Sequence, residues 1–334
     1  MGNAKKILKT RITEFFSLWK YYSFLYALYN AVWWFCFYTR PPFCYKLSTY
    51  AIKKKTAWLD KYIEREYKHI IDKYKKAGIT DAGTIIKEPT IWIFWGQGEE
   101  NMPPLVKACY KQLTRNNCNV TLVTSKNINE FLDLPQEVID KVNCGKISWA
   151  YFSDIIRNSL LTKYGGLWMD ATVWAPHKLP IKEFMNYRFF SPGTRIVVNN
   201  RTINFWSNFE WSWNGWCLWS NMTNYPIFSF VADMLTEIAI KEEVIPDYVT
   251  IDYLIYYAIR SHPTTHKDLE FSQTFNCKNR HTLASIMHEE YNEVQYKELI
   301  EDNYFFKLSF RAGWKERTKE GKKTFYGHLI SNPQ

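Results

Sequence analysis

The sequence predicts an α/β domain around a mainly parallel sheet, preceded by a helical N-terminal segment. Two patterns carry this expectation. Before residue 85, apolar residues recur at helical spacing, and from Thr90 onward short apolar runs alternate with amphipathic stretches. The division falls at 1–85 for the aromatic, basic helical segment and 86–334 for the α/β domain with a C-terminal basic loop.

Residues Tyr21 to Tyr38 carry no charge and lie between Lys5, Lys6, Lys9, Arg11 and Lys20 on one side and Arg40 and Lys46 on the other. That approaches spanning length. The run is rich in Tyr and Trp, which prefer the headgroup boundary, and it contains Asn30. Three arrangements stay open: a helix lying in the membrane interface, which the composition favours, a buried or oligomer-forming helix, and a true span. No small-residue cleavage site precedes Pro41-Pro42, and Lys6 stands where a myristoylation signal prefers Ser or Thr. No lipid anchor is expected.

Ala57 to Ala77 reads as one charged helix, with Leu59, Tyr62, Ile63, Tyr67, Ile70 and Ile71 on its apolar side, ending at the turn residues Gly78 and Gly83. Ile91 to Trp95 is a buried strand stopped by Gly96-Gln97-Gly98, and Pro103 to Asn116 is a helix with Pro near its start. Val120 to Thr124 is a second strand, followed by short helices at Ile128 to Leu132 and Glu137 to Val142. Next, Trp149, Phe152, Ile155, Ile156, Leu160 and Leu161 mark the buried face of a longer helix, which Gly165-Gly166 stops. Leu167-Trp168-Met169 is a buried strand running into Asp170. Sheets of this kind bind ligands at the carboxyl ends of their strands.

Composition narrows the function classes. Hydrophobic residues at 46% exclude a disordered or fibrous chain. Aromatic residues at 18% exceed what a core needs and suggest that sugar rings, bases or a lipid interface are handled. The net charge of +10 suits an anionic partner. Seven scattered cysteines without a CxxC indicate neither a disulfide framework nor a zinc cluster, and the seven histidines show no ligand spacing. Three N-x-[ST] triplets, at Asn119, Asn200 and Asn221, match chance and carry little weight.

The chemistry concentrates in Ser148 to Trp174. Asp154 and Arg157 are three apart and project from one side of the helix, while a carboxylate, Asp170, ends the next strand. The three can therefore face one crevice.

The order Ser153-Asp154-x-x-Arg157, Gly165-Gly166, Asp170-Ala171-Thr172 resembles the sugar-nucleotide motif of GT-A glycosyltransferases with a DXD element, which have a Rossmann-like fold. It is most similar to the capsular polysaccharide synthesis proteins related to glycosyltransferase family 32. The similarity covers roughly Ile91 to Leu308 and is strongest over Ser148 to Trp174. The resemblance implies that Asp154 and Arg157 hold the donor hexose and that Asp170 contacts the ribose and a Mn²⁺ or Mg²⁺ ion. It also places Trp95, Gly96 and Gln97 at the nucleobase and Thr172 in the donor site. Thr172 stands where the last acid of the motif usually serves as chief metal ligand, and a neutral hydroxyl binds a hard cation far less strongly. The capsular branch resembles this D-A-T form.

The implied activity is transfer, with retention, of a hexose or N-acetylhexosamine from a nucleotide sugar, a UDP-sugar by preference, to a surface or capsular glycan. A lipid-linked acceptor would place the enzyme on the inner face of the plasma membrane, in peripheral contact through residues 1–50. Such a reaction leaves charge on the diphosphate, which Lys307 and Arg311 in the C-terminal basic run are suited to neutralise. For the acceptor, Asn204 to Ser220 interleaves Trp206, Trp211, Trp213, Trp216 and Trp219 with Asn204, Asn208, Glu210 and Asn214. Ring faces beside amides suit sugars. Tyr248 to Tyr257 reads as a helix presenting Asp252, which could take a proton from the incoming hydroxyl or orient it. Trp213, Asn214 and Asp252 are the acceptor candidates.

Each feature has a plainer reading: a surface ion pair for Asp154 and Arg157, core packing for the tryptophans, a structural Asp252, and a solvated tail for Lys307 and Arg311. A nucleic-acid-binding protein is the runner-up from charge and aromatics, but no binding module is recognisable and the basic residues are spread. No nucleic-acid partner is expected. An inactive, membrane-attached scaffold of the same fold rests on Thr172 alone.

Overall fold

A computed structural model describes residues 2–39, 44–76, 83–192, 197–198, 201–202, 213–262, 265, 268 and 279–331. Four helices lead: α1 (Gly2–Tyr21), α2 (Phe24–Thr39), α3 (Cys44–Glu66) and α4 (Lys68–Lys76). The alternating part begins with β1 (Ile91–Phe94), α5 (Pro104–Asn116), β2 (Val120–Val123), α6 (Ile128–Phe131), α7 (Gln136–Asn143), α8 (Trp149–Tyr164) and β3 (Gly166–Met169). It continues with β4 (Val173–Trp174), α9 (Ile181–Phe184), β5 (Phe189–Phe190), the small hairpin β6 (Val197–Val198) and β7 (Arg201–Thr202), and β8 (Cys217–Ser220). Then follow α10 (Pro226–Lys241), α11 (Thr250–Ser261), α12 (Thr282–Ile286), α13 (Glu293–Ile300), β9 (Phe306–Lys307) and α14 (Phe325–Ser331).

The central sheet has the order β2-β1-β3-β8-β5. β1 is parallel to β2 and β3, with Ile91 opposite Val120 and Leu167, while β8 is antiparallel to both β3 and β5. Four of the five strands thus point one way, giving the mostly parallel, Rossmann-like sheet that the sequence predicts. Side chains alternate across it. Trp92, Phe94, Trp168 and Leu218 enter the core shared with α8, α10 and α11, whereas Ile91, Ile93, Leu167, Met169, Cys217 and Trp219 enter the opposite core with α5 and α9. Apolar cover on both faces is why these strands read as continuous hydrophobic runs.

Local chemistry fixes the helix that matters most. The Ser148 hydroxyl accepts from the Tyr151 N–H at 3.2 Å, capping α8. Gly165 at φ 65° ends it, and at Gly166 a Cβ would lie 2.3 Å from the Thr90 carbonyl oxygen, so only glycine lets β3 start against that chain. Trp149 departs from the expected buried face: it is 45% exposed at the first turn, leaning on Phe94 and Phe152.

The N-terminal helices differ from the sequence expectation in two ways. The uncharged run is broken at Ser23, whose hydroxyl accepts from the Tyr26 N–H at 3.1 Å and starts α2. The charged helix expected over Ala57 to Ala77 is two helices, α3 and α4, interrupted at Tyr67. Among the described residues no helix is long and apolar enough to cross a membrane. Asn30 is buried because it accepts from Lys55 at 2.8 Å and donates to Glu14 at 3.2 Å.

These helices dock on α10, α11 and the loop between them through tyrosine hydroxyls. Tyr26 donates to the Pro246 carbonyl at 2.7 Å, Tyr62 and Tyr67 each to Glu242 at 2.6 Å, and Tyr253 of α11 to Asp60 at 2.8 Å. Much of the aromatic excess therefore serves helix docking, since a tyrosine buries a ring and still satisfies its hydroxyl.

Candidate active site

The site forms where β3 ends. The Asp170 N–H donates to the Trp216 carbonyl at 2.8 Å, and the Val173 N–H donates back to the Asp170 carbonyl at 3.0 Å, so the chain turns tightly into β4. β9 then pairs antiparallel with β4, placing Lys307 opposite Val173, and the Leu308 N–H donates to the Thr172 carbonyl at 3.0 Å. The basic C-terminal run is thus strapped by backbone bonds beside Asp170, and the solvated-tail reading does not apply to Lys307.

Four charged groups meet here. Arg157 Nη2 lies 3.2 Å from Asp154 Oδ1 and 3.2 Å from Asp170 Oδ1. Lys307 Nζ donates to Asp170 Oδ2 at 2.7 Å and to Thr172 Oγ1 at 2.8 Å. The Trp168 indole donates to Asp170 Oδ1 at 3.1 Å, and its ring lies 5.1 Å beneath the Arg157 guanidinium. The expected helix-side pair is therefore not a solvent-facing ion pair: Arg157 is buried and Asp154 nearly so, while Asp170 and Lys307 keep a part-open edge.

This arrangement separates the two acids that share one arginine. Burial pushes the Asp154 carboxyl up to about 7, against the Arg157 charge, with Asp252 and Asp170 adding repulsion. Burial also acts on Asp170, but the Lys307 and Arg157 charges, with hydrogen bonds from Lys307 and Trp168, outweigh it and hold that carboxyl below its usual value. Asp170 is a fixed anion. Asp154 is poised between forms at neutral pH.

On the other flank, Trp213 Nε1 donates to Asp252 Oδ1 at 2.9 Å. Burial pushes Asp252 up to about 6, moderated by that hydrogen bond and by Arg157. The two acceptor candidates from distant segments are thus joined, next to the Arg157 charge. Asn214 is spent locally: its side-chain oxygen accepts from the Trp216 indole at 3.0 Å, its amide donates to the Pro192 carbonyl, and its N–H donates to Ser191 at 2.7 Å. Trp219, grouped with the acceptor tryptophans, is instead a fully buried β8 residue. Trp206, Trp211, Asn204, Asn208 and Glu210 lie outside the described residues.

Trp95, Gly96 and Gln97 follow β1 at the same end of the sheet. The Trp95 N–H donates to Val123 at 3.0 Å and Ser125 donates to the Gly96 carbonyl at 3.1 Å, while a Cβ at Gly96 would meet the Trp149 ring at 2.8 Å. The Gln97 carbonyl accepts from Asn101 at 2.9 Å. Phe310 meets the Trp95 ring edge-on at 5.5 Å, with the Arg311 guanidinium 5.2 Å over Phe310. The C-terminal loop therefore closes over the β1 end, but no described contact brings Arg311 to the acids.

Two residues were missed from sequence. Trp168 precedes Asp170 by two and Asp170 directly follows β3 in sequence, so the period-2 rule already put both on one side. Gly215 carried no signal: a Cβ there would lie 2.7 Å from Arg157 Nη1, so its lack of a side chain gives the guanidinium its room. Among the described residues no group of three or more His, Cys, Asp or Glu side chains gathers to hold a metal ion. The oxygens of Asp170 and Thr172 instead receive N–H donors from Lys307, Arg157 and Trp168, a set that does not suit a hard divalent cation seeking six or more oxygens.

Comparison with known proteins adds one finding. The family described as capsular polysaccharide synthesis protein matches residues 44–329, and the chain belongs to that family. No curated protein and no solved structure shows significant similarity to it.

Proposed function

We propose that this chain is a glycosyltransferase that moves a hexose or N-acetylhexosamine from a nucleoside diphosphate sugar, a UDP-sugar by preference, to a capsular or other surface glycan with retention at the anomeric carbon. The observation that carries the reading is the Asp154–Arg157–Asp170–Lys307 cluster at the carboxyl ends of the parallel strands, in a member of a capsular synthesis family.

The reaction breaks the bond between the anomeric carbon and the β-phosphate oxygen, whose electron pair stays with the diphosphate. The acceptor oxygen forms the new bond on the face that the diphosphate leaves, as retention by a single displacement requires, and loses its proton. Lys307, with a part-open ammonium, meets the developing phosphate charge. Asp170, held ionised, and the donors of Arg157 fix the ribose and sugar hydroxyls, and Asp154 offers either a donor or an acceptor according to its protonation. Asp252, near 6 and tied to Trp213, lies on the acceptor side and suits the role of taking the hydroxyl proton. Trp95, with Phe310 edge-on to it and Arg311 over Phe310, forms an aromatic, cationic edge for the base.

Support for a membrane placement comes from α1 and α2, where Ile12, Phe16, Trp19, Phe24, Leu25 and Leu28 are exposed beside Lys9 and Lys20. Such a face suits the headgroup layer of an anionic, cytoplasmic leaflet and would hold the site near a lipid-linked acceptor. Phe16→Glu combined with Trp19→Glu should abolish sedimentation with anionic vesicles while the melting temperature holds; unchanged sedimentation removes this placement.

Incubation of the purified chain with a panel of nucleotide sugars, followed by chromatographic detection of released nucleoside diphosphate, tests the activity. Slow hydrolysis of one donor is expected. A chain that hydrolyses none of them, with or without a capsular oligosaccharide, is not this enzyme.

A further inference from the structure

In the sequence motif, the place between Asp170 and Thr172 belongs to a divalent cation. In the fold it is taken by a side chain of the same polypeptide. Lys307 Nζ makes bonds of 2.7 Å to Asp170 and 2.8 Å to Thr172, the two oxygens that a metal would need. The lysine does not arrive on a loose tail. Its N–H donates to the Arg280 carbonyl at 2.8 Å, and β9 pairs with β4 on the chain that carries Thr172.

We infer that the Lys307 ammonium is the resident cation of this site, so that diphosphate departure is assisted by a built-in lysine and needs no metal ion. The inference rests on the glycosyltransferase reading above. Three features converge on it. Asp170 already accepts three N–H donors, from Arg157, Trp168 and Lys307, which leaves little of its roughly four-fold lone-pair capacity. A divalent ion on the same oxygens would stand beside two fixed positive charges, Arg157 and Lys307, and be repelled by both. Finally, an ammonium has three N–H donors, and the described residues engage two of them. Among the described residues the third has no acceptor, which leaves it to a phosphate oxygen on the edge where Asp170 and Lys307 remain part-open.

The chemistry balances with the acceptor as the one co-reactant. The anomeric C–O bond breaks and its electron pair goes to the β-phosphate oxygen, the acceptor oxygen bonds the anomeric carbon and gives its proton to Asp252, and the positive charge of Lys307 offsets the added negative charge on the diphosphate without itself giving up a proton. Asp170 and Thr172 hold the ammonium in place and supply no ligand to a metal.

Calorimetric titration of the chelator-treated full chain with UDP, GDP, CDP and UMP, each with and without millimolar Mn²⁺, tests the inference. One nucleoside diphosphate is expected to bind in chelator, with Mn²⁺ changing its affinity less than about threefold. Lys307→Met, which keeps the aliphatic stem, should weaken that diphosphate at least about tenfold while leaving the monophosphate nearly unchanged. Its freed oxygens should then let Mn²⁺ recover part of the loss. Lys307→Arg, which keeps the charge, should bind within a few-fold of wild type and guards against a folding defect in the methionine variant. Diphosphate binding that vanishes in chelator and returns with Mn²⁺, or that is untouched in a folded Lys307→Met, overturns the inference but leaves the transferase reading standing. Failure of every nucleoside diphosphate under both conditions overturns the two together.

Discussion

Two buried clusters in this molecule have the same parts, a cation set among carboxylates, yet they are finished differently. Where the N-terminal helices meet the loop before α11, Lys55 pairs with Asp247 and with Asn30, which bonds Glu14, and the side chains of Lys55 and Asp247 are only 8% and 3% exposed. At the strand ends, Arg157 is as buried at 8%, but Asp170 and Lys307 are 28% and 23% exposed. A closed network satisfies itself and holds helices together. An open one, with one acid fixed as an anion, another titrating near 7 and an ammonium that the described residues engage at two of its three donors, has the features of a ligand site. Burying charges is costly in both places, and only the second leaves an open edge at which a ligand would return the cost.

The sharpest way to break this contrast is to damage each cluster in turn. Asp170→Asn should reduce donor turnover on the order of a thousandfold while circular dichroism reports a folded chain. Lys55→Met should do the reverse: unfolding in urea should show a loss of about 3–5 kcal/mol, since Asp247 is left buried and unpaired, with donor affinity of the folded fraction retained. If Lys55→Met lost turnover at full stability, the two clusters would not be separate in role.

A smaller effect is expected from Gly215→Ala, whose added methyl meets Arg157 Nη1 and displaces the guanidinium from its two acids. Turnover should fall about ten- to a hundredfold with little loss of stability, as steady-state kinetics and melting would report. The mildest test is pH. Asp154 has a raised value in the folded chain, so the folded state binds the extra proton between the ordinary aspartate range and about 7. Its contribution therefore favours folding at the acid end and declines as pH rises through that window. Asp154→Asn should flatten this part of the stability profile and remove an inflection near 7 from the rate profile. A profile unchanged by the substitution would show that Asp154 titrates elsewhere.

Much of the fold was legible because the strands announce themselves. Ile91 to Trp95 is an unbroken apolar run that Gly96 stops, Leu167 to Met169 is one that Gly165-Gly166 precedes, and helical spacing marked the elements between them. The nearness of Asp154, Arg157 and Asp170 followed from helix and strand periodicity around Gly165-Gly166. What stayed hidden depends on pairing across long stretches of chain. Nothing local says that β9 lies on β4, so Lys307 was chosen for its charge alone, beside the plainer reading of a solvated tail, and its bonds to Asp170 and Thr172 were invisible. Asn30 looked like a blemish in a membrane-length run because its partners, Lys55 and Glu14, lie on other helices. The tyrosines pointed toward ligands when many of them tie helices together, and the acceptor role of Asn214 rested on residue type without knowledge of its bonds inside the loop.

A crystal structure of the chain with a hydrolysis-resistant nucleotide sugar would reach the central claim most directly. The account predicts a diphosphate oxygen within hydrogen-bonding distance of Lys307 Nζ and the sugar ring between Asp154, Arg157 and Asp252. A nucleotide seated away from the ends of β1 and β3, with the four charged groups bonded only to one another, would contradict it.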